Sequence, residues 1–137
     1  MKRSEIREAV FLLLFRAEFN ELKDMPEQMQ MFFDAEGDDL KVKVSDEEKE
    51  YIINRATSVM DRIKEIDEMI AEKATGWTVD RMGKVDLTII RLAVFEIKFD
   101  PEIPLGVCIN EAVELAKKYG REESGAFVNG VLAKFDK

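Results

Sequence analysis

KVDLTIIRLAVFEIK, residues 84–98, carries two interleaved apolar series. Val85, Ile89 and Leu92 form one, and Leu87, Ile90, Val94 and Ile97 the other, each stepping by three or four residues. That spacing is helical, and an apolar arc so wide has to be covered on more than one side. The stretch therefore reads as a central helix around which the other helices are arranged.

C-terminal to it, the break at Pro101–Pro104 is followed by a second helix with Leu105, Ile109, Ala112, Ala116 and Tyr119 on one face. Pro104 suits a first turn, where its missing N–H costs nothing, and Gly120 suits a left-handed residue just past the end. A last helix from about Glu123 turns Phe127, Val128, Val131, Leu132 and Phe135 inward. Arg91 and Glu96 lie in apolar surroundings, and Asn110–Glu111 opens the helix after them. These read as a satisfied polar network tying helices together, because buried polar groups need partners. Asn129–Gly130 predicts an interhelical hydrogen bond beside a close helix approach.

N-terminal to the central helix, a first helix spans about Ser4 to Leu22. Ile6, Val10, Leu13, Leu14 and Ala17 make one stripe, and Phe11, Phe15 and Phe19 a neighbouring one. An aromatic series at this spacing is core before it is a base-stacking platform. Residues 25–36 read as a short helix opened by Pro26, with Met25, Met29, Phe32 and Phe33 inward, and residues 37–44 as a polar connection. Ser45 and Glu48 match a capping box. In the long helix that follows, Ile52, Ala56, Val59, Ile63, Ile66, Ile70 and Ala74 alternate steps of four and three until Gly76. This seam fits a coiled-coil dimer as well as intramolecular packing, which is favoured because the other helices also have apolar faces to bury. The expected fold class is all-α, one compact domain of two packed three-helix sub-bundles, about 1–76 and 77–137, without a Pro/Ser/Gly-rich linker.

A chain of 137 residues, 46% hydrophobic, is enough for one core. Pro and Gly are sparse and no stretch sustains strand alternation. The single cysteine, Cys108, excludes an intramolecular disulfide, and the lack of a signal peptide fits a reducing cytoplasm. The longest apolar run, Ala9 to Phe15, falls far short of the roughly 20 residues that span a bilayer. A net charge of −8 argues against general phosphate binding, so any RNA site is local and assisted, and a basic protein partner fits the charge more easily.

The sequence offers little for catalysis. There is no histidine, which removes His-based acid–base chemistry, Ser-His-Asp triads and Glu-x-x-His metal sites. No glycine-rich phosphate loop is present, so no cofactor is expected. Cys108 has no His partner and reads as a small packed side chain. Asp86, Glu96, Glu111, Glu114, Glu122 and Glu123 form carboxylate pairs, but among 29 acidic residues such pairs arise by chance as solvated or capping groups. No catalytic, cofactor-binding or metal site is assigned.

Several ordered motifs then carry a family resemblance. Trp77, Arg81-Met82, Val85-Asp86, Ile90-Arg91-Leu92-Ala93 and Glu96 are followed by Ile103-Pro104, Val107 and the run from Ile109-Asn110-Glu111 to Lys117. Tyr119-Gly120 and Phe127-Val128-Asn129-Gly130-Val131-Leu132 complete the series. The set resembles the bacterial NusB family of transcription antitermination factors.

That resemblance implies an architecture of two small helical bundles and a non-enzymatic, cytoplasmic protein. It implies binding to boxA RNA of nascent ribosomal RNA leaders with the ribosomal protein NusE, within an antitermination complex of RNA polymerase. Alone, such a protein is a monomer or a homodimer. Lys2, Arg3 and Arg7 fall where the family has an arginine-rich RNA-binding stretch; from spacing alone, with Glu5 and Glu8 between them, they read as surface charge. Arg81 and Lys84, just before the central helix, would extend that surface, although an Arg at 81 fits a bridge between the two halves equally well, and Phe15, Asp86 and Glu123 fall on the implied NusE contact. Two other readings stand beside this one: a helical module of the kind appended to ribosomal RNA cytosine methyltransferases, for whose catalytic domain the chain leaves no space, and a protein-binding or dimerising scaffold without RNA specificity.

Overall fold

The computed structural model describes residues 1–18, 44–74 and 76–137. The helix expected over 25–36, most of the connection after it, and Phe19 lie outside the described residues. Those residues are helical or irregular, without a strand, in two compact units, Met1–Met60 and Asp61–Lys137.

In the first unit, α1 (Arg3–Ala17) opens with the Lys2 N–H donating to the Glu5 carboxylate at 2.7 Å, half of a capping box. Ala9, Val10, Phe11, Leu13 and Leu14 are buried, while Ile6 and Ala17, expected inward, are only half covered. The Phe11 and Phe15 rings stack at 6.1 Å. The Ser45–Glu48 box forms as expected at the start of α2 (Asp46–Asp61): Glu48 N–H donates to Ser45 Oγ at 3.1 Å, and Ser45 N–H to Glu48 Oε1 at 3.0 Å. Ile52, Ala56 and Val59 are fully covered.

The single long helix expected to Gly76 is interrupted at Arg62 (φ −111°, ψ 11°), and α3 runs Ile63–Lys73. Neither Gly nor Pro stands at the break. At the break the Arg62 guanidinium lies 4.2 Å over the Phe99 ring and 3.3 Å from Glu65. Ile66, Ile70 and Ala74 are buried in the single chain, and the interruption leaves no continuous helix for a coiled-coil seam.

In the second unit, α4 (Lys84–Phe99) is the central helix, with ten of its 16 residues buried and contacts to α3, α5 (Leu105–Tyr119) and α6 (Ser124–Leu132). Each Leu or Ile fully covered this way contributes about 1.5–3 kcal/mol. The polar network expected at Arg91 is real: its guanidinium grips Asp67 of α3. Among the described residues, no buried side-chain nitrogen or oxygen lacks a partner, Glu96 included. Asn110 is exposed and takes no part in a buried network. The inward face of α5 is rotated from the expected one, with Cys108, Ala112, Leu115 and Ala116 buried and Leu105, Ile109 and Tyr119 half covered. Pro104 stands one residue before the helix, where its carbonyl accepts the Val107 and Cys108 N–H groups at 3.0 and 3.1 Å.

Two glycine expectations are corrected. Gly120 is not left-handed (φ −92°); a Cβ there would meet Ser124 Oγ at 2.5 Å, so the close approach of α6 is what requires glycine. Asn129 and Gly130 are exposed, with nothing within 4 Å of a Gly130 Cβ. The close approach along α6 falls instead at Gly125, against Lys117 and Val113 of α5. At the C-terminus, Lys137 Nζ donates to the Asp100 and Glu96 carbonyls at 2.7 and 3.3 Å, satisfying acceptors that the end of α4 leaves open.

Candidate nucleic-acid and partner interface

After α3, Gly76 takes a positive φ of 84°, and Trp77 N–H donates back to the Ala74 carbonyl at 3.2 Å. A single 3-10 turn, Val79–Arg81, follows. Met82 is buried beyond it and pins the segment, so Arg81 and Lys84 on either side face solvent. Gly83 begins α4 by accepting the Leu87 N–H at 2.9 Å, and Asp86 sits in the first turn, where the helix dipole favours a carboxylate.

The α5–α6 turn faces this segment. The buried Ser124 hydroxyl accepts the Arg121 N–H at 2.9 Å, closing the turn and leaving Arg121 and Glu123 exposed. Together the two segments wall a cleft of about 580 Å³. Its lining includes Trp77, Arg81, Lys84, Asp86, Tyr119, Arg121, Glu123 and Phe127. The Trp77 and Phe127 rings meet edge to face, 5.4 Å apart and inclined by 70°. The cleft is therefore aromatic and carries both signs of charge.

Four of the residues expected to function, Arg81, Lys84, Asp86 and Glu123, line this one cleft. The other four lie at or on α1 of the first unit. Lys2 and Arg3 are exposed and Arg7 is half-buried; Arg3 and Arg7, four residues apart, share a face of the helix. The interleaved Glu5 is turned onto the Lys2 N–H. Phe15 is half-buried beside Phe11.

The basic stretch is also anchored. The Met1 side chain is covered and its ammonium donates to Glu48 Oε2 at 2.5 Å. That hydrogen bond, with the Ser45 N–H, holds the Glu48 carboxyl down at about 2. The same contact raises the ammonium above its ordinary value.

Trp77, Tyr119, Arg121 and Phe127 were not legible as cleft residues. Tyr119 and Phe127 read as inward positions, and the three aromatics otherwise entered only as members of the matched motifs. The available signal was an aromatic directly after a glycine that closes a helix.

A profile of the NusB family matches residues 4–137. The chain belongs to the NusB family. The transcription antitermination protein NusB of Agathobacter rectalis is 55% identical over 135 residues, covering 98% of this chain and 99% of that protein. Its counterpart in Lachnoclostridium phytofermentans is 48% identical over 134 residues, 98% of each. Among solved structures, T. maritima NusB matches with a TM-score of 0.80 and 32% identity, covering 98% of this chain and 89% of that one. A structure of the antitermination factors NusB and NusE in complex with double-stranded RNA matches with a TM-score of 0.75 and 28% identity, covering 96% of this chain and 92% of that one. The helical fold of the described residues is thus the NusB fold. No helix among the described residues is long and apolar enough to cross a membrane.

Proposed function

We propose that this chain is a transcription antitermination factor that binds boxA RNA of nascent ribosomal RNA leader transcripts together with ribosomal protein NusE and promotes processive transcription by RNA polymerase. The observation that carries the reading is 55% identity, end to end, with an antitermination protein. The fold match to a NusB–NusE complex holding RNA supports the choice of partners.

The charge distribution gives this reading a mechanism. A chain of net charge −8 repels RNA overall, so a basic partner lowers the repulsion and the complex grips RNA through local cations. Lys2, Arg3, Arg7, Arg81 and Lys84 are assigned to RNA, and Phe15, Asp86 and Glu123 to NusE. The tethered RNA then keeps the factors at high effective concentration near polymerase. No bond is made or broken, so the protein acts as a cytoplasmic assembly factor rather than an enzyme, and its whole length serves as one RNA-binding domain.

Binding of a short boxA RNA, with and without purified NusE, across a salt series and against a scrambled RNA, tests this. Selective binding strengthened by NusE and weakened by Arg3→Ala or Arg7→Ala is expected. No binding to either RNA at low salt, even with NusE, would overturn it.

A further inference from the structure

We propose that Trp77 is a stacking platform for one unpaired base of the bound RNA, with Arg81 and Arg121 holding the phosphates beside it. The inference rests on the RNA-binding function proposed above and adds to it a contact mode and two residues, Trp77 and Arg121.

Trp77 is 51% exposed although a large apolar core lies close by in the chain. An indole held half open presents an apolar face that a planar ligand can cover. Its ring is braced edge to face by Phe127 at 5.4 Å, which limits its motion while half of the residue stays open to solvent. A braced, exposed indole loses little freedom when a base stacks on it, and every base offers a π-face.

Charge selects the occupant. Arg81 and Arg121 are exposed, line the same cleft as Trp77, and come from two different turns. A wall with two guanidinium groups suits phosphates, which Arg binds through paired N–H groups. Asp86 and Glu123, also in the cleft, supply the opposite preference, and the basic partner takes them. The cleft is therefore shared, with RNA on the indole and guanidinium groups and protein on the carboxylates. Stacking requires a base splayed from its neighbours, so the ligand is single-stranded.

Trp77 is the chain's one tryptophan, so its fluorescence reports this site directly. The full chain with NusE is titrated with end-labelled boxA RNA and followed by both RNA anisotropy and tryptophan emission, with the Trp77→Phe complex subtracting any emission from NusE. Saturable quenching at the anisotropy midpoint is expected. Trp77→Ala is expected to weaken RNA binding about tenfold or more, Trp77→Phe less, with NusE affinity in the absence of RNA unchanged. Arg121→Gln is expected to weaken binding and lower the slope of log affinity against log salt by about one. RNA binding without quenching, and unaffected by Trp77→Ala in a variant of unchanged helicity, would overturn the inference and leave the proposed function standing. Loss of NusE binding in Trp77→Ala would overturn it by giving the indole to the protein partner. Absence of RNA binding by the unsubstituted complex would overturn both.

Discussion

Arg91 of α4 holds Asp67 of α3 with both arms of its guanidinium, Nε 2.8 Å from Oδ1 and Nη2 2.7 Å from Oδ2. The side chains are only 12% and 25% exposed, so solvent replaces neither partner well. Arg91→Ala is expected to destabilise the chain by about 2–3 kcal/mol, because it leaves a largely covered carboxylate unpaired. Arg91→Lys keeps the charge but loses the fork and should recover only part of this. Replacing both partners, Arg91→Met with Asp67→Leu, should restore most of the stability, since the cost lies in the orphaned charge. Urea unfolding of the four proteins checks the order, and a double variant less stable than Arg91→Ala would refute the account.

Gly120→Ala isolates a steric requirement. The backbone there suits any residue at φ −92°, but the new Cβ would lie 2.5 Å from Ser124 Oγ and 2.8 Å from the Ala116 carbonyl oxygen. Either α6 shifts or the end of α5 does, at about 1–3 kcal/mol. Adding Ser124→Gly removes one of the two obstacles, so the double variant should be more stable than expected from the two single changes. A thermal melt of Gly120→Ala that matches the parent would show that the turn relaxes freely.

This position also shows what the sequence can and cannot say. A Tyr-Gly pair after an apolar stripe marks a helix end correctly, but whether the glycine serves a left-handed turn or a close approach depends on where α6 comes back. The central helix was readable because burial on several sides writes itself as a nearly unbroken apolar run from Leu87 to Ile97. The interruption at Arg62 was not, since neither Gly nor Pro stands there to mark it. The candidate site divides in the same way. Arg81 and Asp86 stand in the matched motifs, and Lys84 and Glu123 were placed beside them by the resemblance, whereas the facing of Trp77, itself a motif residue, and of Arg121 depends on turns, where no periodicity states which way a side chain points.

Gly130→Ala should stabilise the chain. The residue is exposed in the last turn of α6, and nothing lies within 4 Å of the added methyl. Glycine in a helix costs about 0.5–1 kcal/mol relative to alanine, through the freedom it retains when unfolded. Gly76→Ala has equally open space, yet φ is +84°, and a loss of about 1 kcal/mol is expected there. Chemical denaturation midpoints moving in opposite directions would confirm that backbone conformation, not space, separates the two sites.

The Met1–Glu48 pair gives stability a pH dependence of predictable sign. The hydrogen bond from the ammonium, with that from Ser45 N–H, lowers the Glu48 carboxyl from an ordinary 4.5 to about 2 in the folded chain. The folded state therefore binds this proton less readily than the unfolded state does. Its contribution is fully present above about 4.5 and fades as pH falls toward 2. At the other end, the ammonium is raised above 8.0, so its share is complete below that pH and is lost as pH climbs through the raised value. Glu48→Gln should flatten both slopes, and acetylation of the α-amine should flatten the alkaline one while returning the Glu48 titration toward its ordinary range. Denaturant midpoints from pH 2 to 10, with a side-chain NMR titration of Glu48, measure this. An unshifted Glu48 would show that the N-terminus is not held on α2, and the basic stretch from Lys2 to Arg7 would then lack its anchor.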